Sequence, residues 1–287
     1  MSEQLILVTG ATGMVGKYLV KGLQDSGSRV RVLVRDREKA KVFGDGLEVV
    51  QGDLEQPQTL APAFAGVEKA FVLAAGPKLA RLEGNAFIAA RNAGVRHVVK
   101  LGGRHVNSTF MAGPPHVQAH ADSEQHLQSL GIGWTILRPG AFASNFLAWF
   151  DRKQGGIFLP VGNGKDTFID PRDIAACAAK ILTTAGHEGG IYEITGPERL
   201  SFKQIADTIS AAVGRKVVYQ DVPEDVARRG MLAAGNHSED VEFILRYFAA
   251  VKKDLMYPPT SGVADLLGRP PHTFAEWSRH NVAALRM

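Results

Sequence analysis

Up to Gly140 the chain alternates short apolar runs with longer stretches in which apolar side chains recur every three or four positions. The runs are Leu5 to Thr9, Arg29 to Val34, Leu47 to Gln51, Lys69 to Ala74, His97 to Leu101 and Trp134 to Leu137. Most are apolar at nearly every position, the pattern of strands whose two faces are both covered by helices in a parallel sheet. Helical spacing falls in Val15 to Ser26, Gln58 to Phe64, Leu79 to Ala93 and Ala119 to Leu130. Several of these stretches stop at a glycine suited to a helix end: Gly27, Gly66, Gly94 and Gly131. Repeated strand-helix-strand units predict an α/β chain on a doubly wound, Rossmann-like parallel sheet.

Beyond Gly140 the alternation fails. Gly155 to Gly164 reads as a short strand between turns, Ile191 to Thr195 and Val217 to Asp221 as further strands, and Phe202 to Val213 as a helix. The expected organisation is a nucleotide-binding domain over residues 1–150 and a smaller C-terminal α/β substrate lobe over 151–287. Asp170-Pro171-Arg172-Asp173 is a helix start, with Asp170 at the cap, proline at the first helical position and Asp173 spaced to return a cap hydrogen bond. The helix it opens, near 170–184, is expected to pack back on the first domain.

With 287 residues, 45% hydrophobic and 22% charged, the chain carries enough apolar material for a large core, which excludes a disordered segment. The formal charge of +4 comes from 33 basic and 29 acidic residues spread along the sequence. No basic run points to nucleic acid, and the mild positive bias suits an anionic ligand. No stretch of about 18 apolar residues suggests a membrane span. The single cysteine, Cys177, excludes an intramolecular disulfide and a cysteine metal cluster, and its apolar neighbours predict a buried, inert thiol. The expectation is a cytoplasmic protein that acts on a small molecule, has no nucleic-acid or membrane partner and is compatible with a homodimer.

The turn Gly10-Ala11-Thr12-Gly13-Met14-Val15-Gly16 follows the first strand directly and opens the first helix, the context that gives a glycine pattern meaning. Gly10 permits the tight turn, Gly13 lets backbone approach a pyrophosphate, and Gly16 lets the helix pack on the strand. The phosphates then meet free N–H groups at the positive end of the helix. No Gly-Lys-Ser/Thr follows, which argues against a nucleoside-triphosphate loop. At the end of the second strand stands Arg35, placed to pair with the 2′-phosphate of NADP(H), with Arg37 and Lys39 in support. Asp36 is the competing reading: a shift of one residue would aim a carboxylate at the ribose.

The motifs linked along the chain resemble the NmrA-like branch of the atypical short-chain dehydrogenase/reductases. They are Val8-Thr9-Gly10-Ala11-Thr12-Gly13, Gly52-Asp53-Leu54, Asn92 to Val99, His120 to Glu124, Ile136 to Gly140, Asp170 to Ala175 and Gly268-Arg269-Pro270-Pro271. The resemblance implies that Asp53 reads the adenine amino group with Leu54 beside the ring. It implies that Ala74, Ala75 and Gly76 line the ribose and pyrophosphate path, and that Leu101, Gly102 and Pro139 to Phe142 surround the nicotinamide.

The chain departs from the better-known members of that superfamily, which reduce carbonyls with tyrosine, a lysine four residues later, and a serine after the fifth strand. None of Tyr18, Tyr192, Tyr219, Tyr247 and Tyr257 is followed four residues later by lysine, and Gly102-Gly103 stands where the serine would be. His120 and Glu124 occupy the corresponding helix, so His120 is the candidate proton donor and Glu124, one turn on, its orienting partner. His116, His120 and Glu124 share a helical side, but a nicotinamide reaction needs no metal and none is expected. Of the aromatic group after the sixth strand, Phe142, Asn145 and Trp149 are candidates to cover a flat substrate, with Phe146 and Phe150 nearby. The expected activity is NADPH-dependent reduction of a small conjugated electrophile such as a quinone. The alternatives are a redox-sensing regulator that binds NADP(H) without turnover, and an imine or ketone reductase with His120 as proton donor.

Overall fold

The structure is a computed structural model that describes residues 4–44, 46–76, 78–108, 111 and 115–286. In chain order come β1 (Leu5–Val8), α1 (Met14–Asp25), β2 (Arg29–Val34), β3 (Glu48–Gln51), α2 (Ala61–Phe64), β4 (Lys69–Val72), α3 (Leu79–Asn92), β5 (His97–Leu101), α4 (Pro115–Ser129) and β6 (Gly133–Pro139). Then follow β7 (Ala141–Phe142), α5 (Phe146–Trp149), β8 (Phe150–Asp151), β9 (Gly156–Phe158), β10 (Lys165–Ile169), α6 (Pro171–Thr183) and β11 (Gly190–Ile194). The chain ends with β12 (Arg199–Ser201), α7 (Phe202–Val213), β13 (Val218–Gln220), α8 (Glu224–Ala233), α9 (Ser238–Lys252), α10 (Gly262–Leu267), α11 (Phe274–His280) and α12 (Val282–Arg286). No helix among the described residues is long and apolar enough to cross a membrane.

The central sheet has seven strands in the order β11-β6-β5-β4-β1-β2-β3, and every pair in it is parallel. Strand β1 shows why its sequence does not alternate. Ile6 and Val8 point into a core shared with Leu19 and Leu23 of α1 and Ile174, Cys177 and Ile181 of α6. Leu5 and Leu7 point into the opposite core with Phe64, Phe87 of α3 and Leu127 of α4. Both faces are dry, so both sets of positions are apolar.

The sheet draws on chain from beyond residue 150. After β6 the backbone leaves to build part of the lobe, returns with α6 and β11 beside α1 and β6, and leaves again. The lobe holds two small mixed sheets, β12-β10-β7 and β13-β9-β8. Its core is aromatic: the Phe146 ring centroid lies 5.0 Å from that of Phe168 and 5.2 Å from that of Phe274, both nearly edge-to-face, the arrangement ring quadrupoles favour.

The start of α6 differs from expectation in one respect. Asp170 does cap it, accepting from the Arg172 N–H at 2.8 Å. Asp173 does not return a cap bond. Its carboxylate is fully buried and accepts from the Arg269 guanidinium at 2.8 Å and from the His272 backbone N–H and ring Nδ1 at 2.7 and 2.8 Å. Proline at the first helical position and the backbone bond from the Asp173 N–H to the Asp170 carbonyl already satisfy this helix start, so the carboxylate is free to tie the Gly268 to His272 turn to α6. Asp173→Ala is expected to lower stability by about 2–3 kcal/mol, seen as a lower urea midpoint at unchanged denaturant slope.

Candidate active site

Parallel strands put all their carboxyl ends on one side. On that side of the sheet the chain runs outward from β1 through β2 to β3 and then, from β4 on, in the opposite direction. A crevice opens at such a reversal because neighbouring connections depart to opposite faces. Here it forms a cavity of about 1160 Å³ between strand ends (Leu73, Leu101, Pro139), the first turn of α1 (Met14, Val15) and the lobe.

The glycine turn is built as the sequence predicts. Gly10 sits at φ +63°, which favours glycine. A Cβ at Gly16 would lie 2.2 Å from the Gly10 carbonyl oxygen, so only glycine lets α1 approach the turn. Helix α1 has no side-chain cap and no acidic residue in its first turn. Its first N–H groups therefore keep their donors and its dipole for an anion. Ala74, Ala75, Gly76, Leu101, Gly102 and Pro139 line the same cavity.

Arg35, Asp53 and Leu54 follow the ends of β2 and β3, which pair with Val34 opposite Gln51. Gln51 donates from Nε2 to the Arg35 carbonyl at 3.0 Å, while the Arg35 side chain is exposed. Asp36 accepts from the Glu38 N–H at 3.0 Å and caps the 3-10 turn Arg37–Phe43. The Asp53 carboxylate accepts from the Glu55 N–H at 3.0 Å, and Leu54 packs beside Ala74 and Leu79.

His120 lies on the cavity wall at partial exposure, and Glu124 does not orient it. The Glu124 carboxylate turns the other way and takes two bonds from Arg138, at 2.5 Å from NH2 and 3.4 Å from Nε, both residues being buried. A carboxylate inside the fold needs a partner of opposite charge, and Arg138 on β6 is nearer than the histidine. The partner of His120 is Lys100, whose Nζ donates to His120 Nδ1 at 3.4 Å. Burial, with Lys100, His105 and His116 nearby, lowers the His120 pKa to about 3. The ring is therefore a neutral imidazole at physiological pH, not the near-neutral acid its type suggests. Burial likewise lowers His105, packed edge-on at 5.6 Å between ring centroids, to about 4. His116 pairs with Asp240 of α9 at 2.8 Å. The three groups on one helical side thus have three different partners.

Glu124 also explains the missing serine. A Cβ at Gly102 would lie 2.6 Å from Glu124 Oε1, and one at Gly103 would lie 2.5 Å from His105 Cε1. The space a serine would use is filled by the side chains that replace it.

Across the cavity, Phe142, Asn145 and Trp149 line the lobe wall, whereas Phe146 and Phe150 are fully buried in the lobe core. Trp149 stacks on Tyr247 at 6.0 Å and 26°. Tyr247 donates to Asp166 at 2.6 Å, and burial raises the Asp166 carboxyl to about 6 against that bond and the Thr167 N–H. Lys100, Glu83 and Asp166 are not singled out by the sequence, and Tyr247 enters there only as a tyrosine without a lysine four residues later. Two left a signal: Lys100 stands between Val99 and Leu101 in a strand, and Glu83 falls four residues after Leu79 and four before Phe87, on the buried stripe of α3.

The NmrA-like family model matches residues 2–277. The NAD(P)H azoreductase of Xenophilus azovorans is 34% identical over 289 residues, 98% of this chain and 99% of that protein. The solved structure of the Escherichia coli NADPH-dependent quinone oxidoreductase complexed with NADPH is similar with TM-score 0.85 at 27% identity, over 96% of this chain and 99% of its own. The Citrobacter sp. triphenylmethane reductase complexed with NADP(H) is similar with TM-score 0.82 at 28% identity, over 96% and 99%.

Gly102→Ser restores the residue type of carbonyl reductases at this strand end. It is expected to displace Glu124 from Arg138, lower stability by about 1–3 kcal/mol, and confer no alcohol oxidation. Thermal unfolding and an alcohol assay with NADP⁺ check both.

Proposed function

The chain belongs to the NmrA-like family, and from that premise we propose that it is an NADPH-dependent oxidoreductase that passes hydride to a small conjugated electrophile such as a quinone. The observation that carries the reading is the single cavity onto which the uncapped start of α1, the strand ends and His120 all open. The nucleotide-binding layer holds the pyrophosphate on the Gly10 to Gly16 turn and the 2′-phosphate on Arg35, while the lobe covers the acceptor with Phe142, Asn145 and Trp149. The proteins to which the chain is similar are named for azo compounds, quinones and triphenylmethanes, conjugated acceptors for which an aromatic wall is suited.

NADPH, when bound, supplies the hydride. Two electrons and one proton so delivered turn a quinone into its hydroquinone anion, and a proton from water completes the product. The protein's task is to place the acceptor and steady the oxygen on which charge develops. Neutral His120 does this as a hydrogen-bond donor, and a delocalised anion needs no stronger acid. The tyrosine-lysine pair is dispensable for such a substrate.

His120→Ala is expected to lower kcat with a quinone by about a hundredfold with little change in KM for NADPH. Because the ring charges only near 3, it should add no inflection to kcat between about pH 5 and 8, and its protonation should tell only on the acid side. NADPH absorbance followed with quinones, azo compounds and cationic dyes tests the activity itself; tight nucleotide binding with no oxidation on any of them would overturn it. Arg35→Ala is expected to weaken NADPH about tenfold or more while leaving NADH nearly unchanged, as read by calorimetry.

A further inference from the structure

The surroundings of Lys100 decide which nitrogen of His120 carries the proton. Lys100 is the penultimate residue of β5, a strand with five buried residues, and its side chain is fully excluded from solvent. An ammonium is tolerated there only if its N–H bonds find acceptors. Nζ has three: Glu83 Oε2 at 3.0 Å, the Leu101 carbonyl at 3.1 Å and His120 Nδ1 at 3.4 Å. A neutral amine, with two N–H bonds, would leave one unmet, whereas the ammonium serves all three.

Glu83 is matched in the same way. It accepts from Lys100, from Ser123 Oγ at 2.5 Å and from the Ala74 backbone N–H at 3.1 Å. Burial pushes its carboxyl upward, and three donors oppose that push. The geometry is that of a carboxylate paired with an ammonium.

We propose that the buried Lys100–Glu83 pair positions His120 for the reaction, holding its ring as the neutral Nε2–H tautomer with that N–H on the cavity side. The proposal rests on the reading above, in which His120 donates to the acceptor. Nδ1 faces an N–H bond, so it presents its lone pair, and the ring proton belongs on Nε2 across the ring. The other titratable groups near the ring are His105 and His116, which disfavour a second proton as Lys100 does. The counter-charges are set apart: Glu83 lies beyond Nζ, Asp240 is tied to His116 and Glu124 to Arg138. Lys100 does not line the cavity and reaches a substrate only through His120. It is a positioning residue.

The test is ¹⁵N NMR of the histidine rings in the intact protein with NADP⁺ bound, together with turnover. The wild type should show His120 as Nε2–H with no titration between about pH 5 and 8. Lys100→Met combined with Glu83→Gln removes both charges, so neither is left alone in the core. In that variant the tautomers should mix, the His120 pKa should rise toward 6.5, and kcat should fall about tenfold or more at unchanged KM for NADPH. A wild-type Nδ1–H tautomer overturns the proposal, as does a folded double variant with wild-type tautomer and kcat. If the variant does not fold, the wild-type spectrum decides alone. Unchanged turnover in His120→Ala would instead overturn the donor role on which the proposal rests, and the spectrum would still report the tautomer.

Discussion

Behind the cavity wall that carries His120 lies a layer of buried charge. Two ion pairs, Glu83 with Lys100 and Glu124 with Arg138, lie under the ends of β5 and β6 with almost no access to water. Stability is a weak reason to keep such pairs, since apolar replacements of similar volume are often no worse, while breaking one pair is severe. What they do here is geometric. One pair faces the ring of His120, and the other occupies the space beside Gly102.

That layer exists because the sheet is parallel and covered on both faces. With both faces covered, the reversal between β1 and β4 leaves a gap at the strand carboxyl ends. The start of α1 borders the gap on one side, bare of caps and acidic groups, while β5, α4 and β6 border it on the other. The start of α1 and the histidine therefore face one space although more than 100 residues separate them in the chain.

The lobe completes the enclosure with a different chemistry. Its core is phenylalanine packed on phenylalanine, and what it turns toward the cavity includes the rings of Phe142, Trp149 and Tyr247, with polar groups such as Asn145 and Asp166 among them. His116 and Asp240 join α4 to α9 at the rim, and Asp173 fastens the C-terminal turn to α6. The lobe is thus anchored to the helices of the central sheet by polar contacts at separate points.

Local pattern was enough to determine the strands through Trp134, the glycine turn, the helix start at Asp170 and the likeness to a family, because each depends on neighbours a few residues apart. Period and turn chemistry are written in consecutive residues. The place of Arg35 was legible for the same reason, being the residue after a strand. The partners of His120 were not. Glu124, one turn away on the same helix, was the local choice, and the fold gave it instead to Arg138 while bringing up Lys100 from a strand and Glu83 from another helix. The return of α6 and β11 to the central sheet was likewise decided by tertiary packing. A buried charge takes whichever opposite charge the folded core places nearest, and only folding sets that distance.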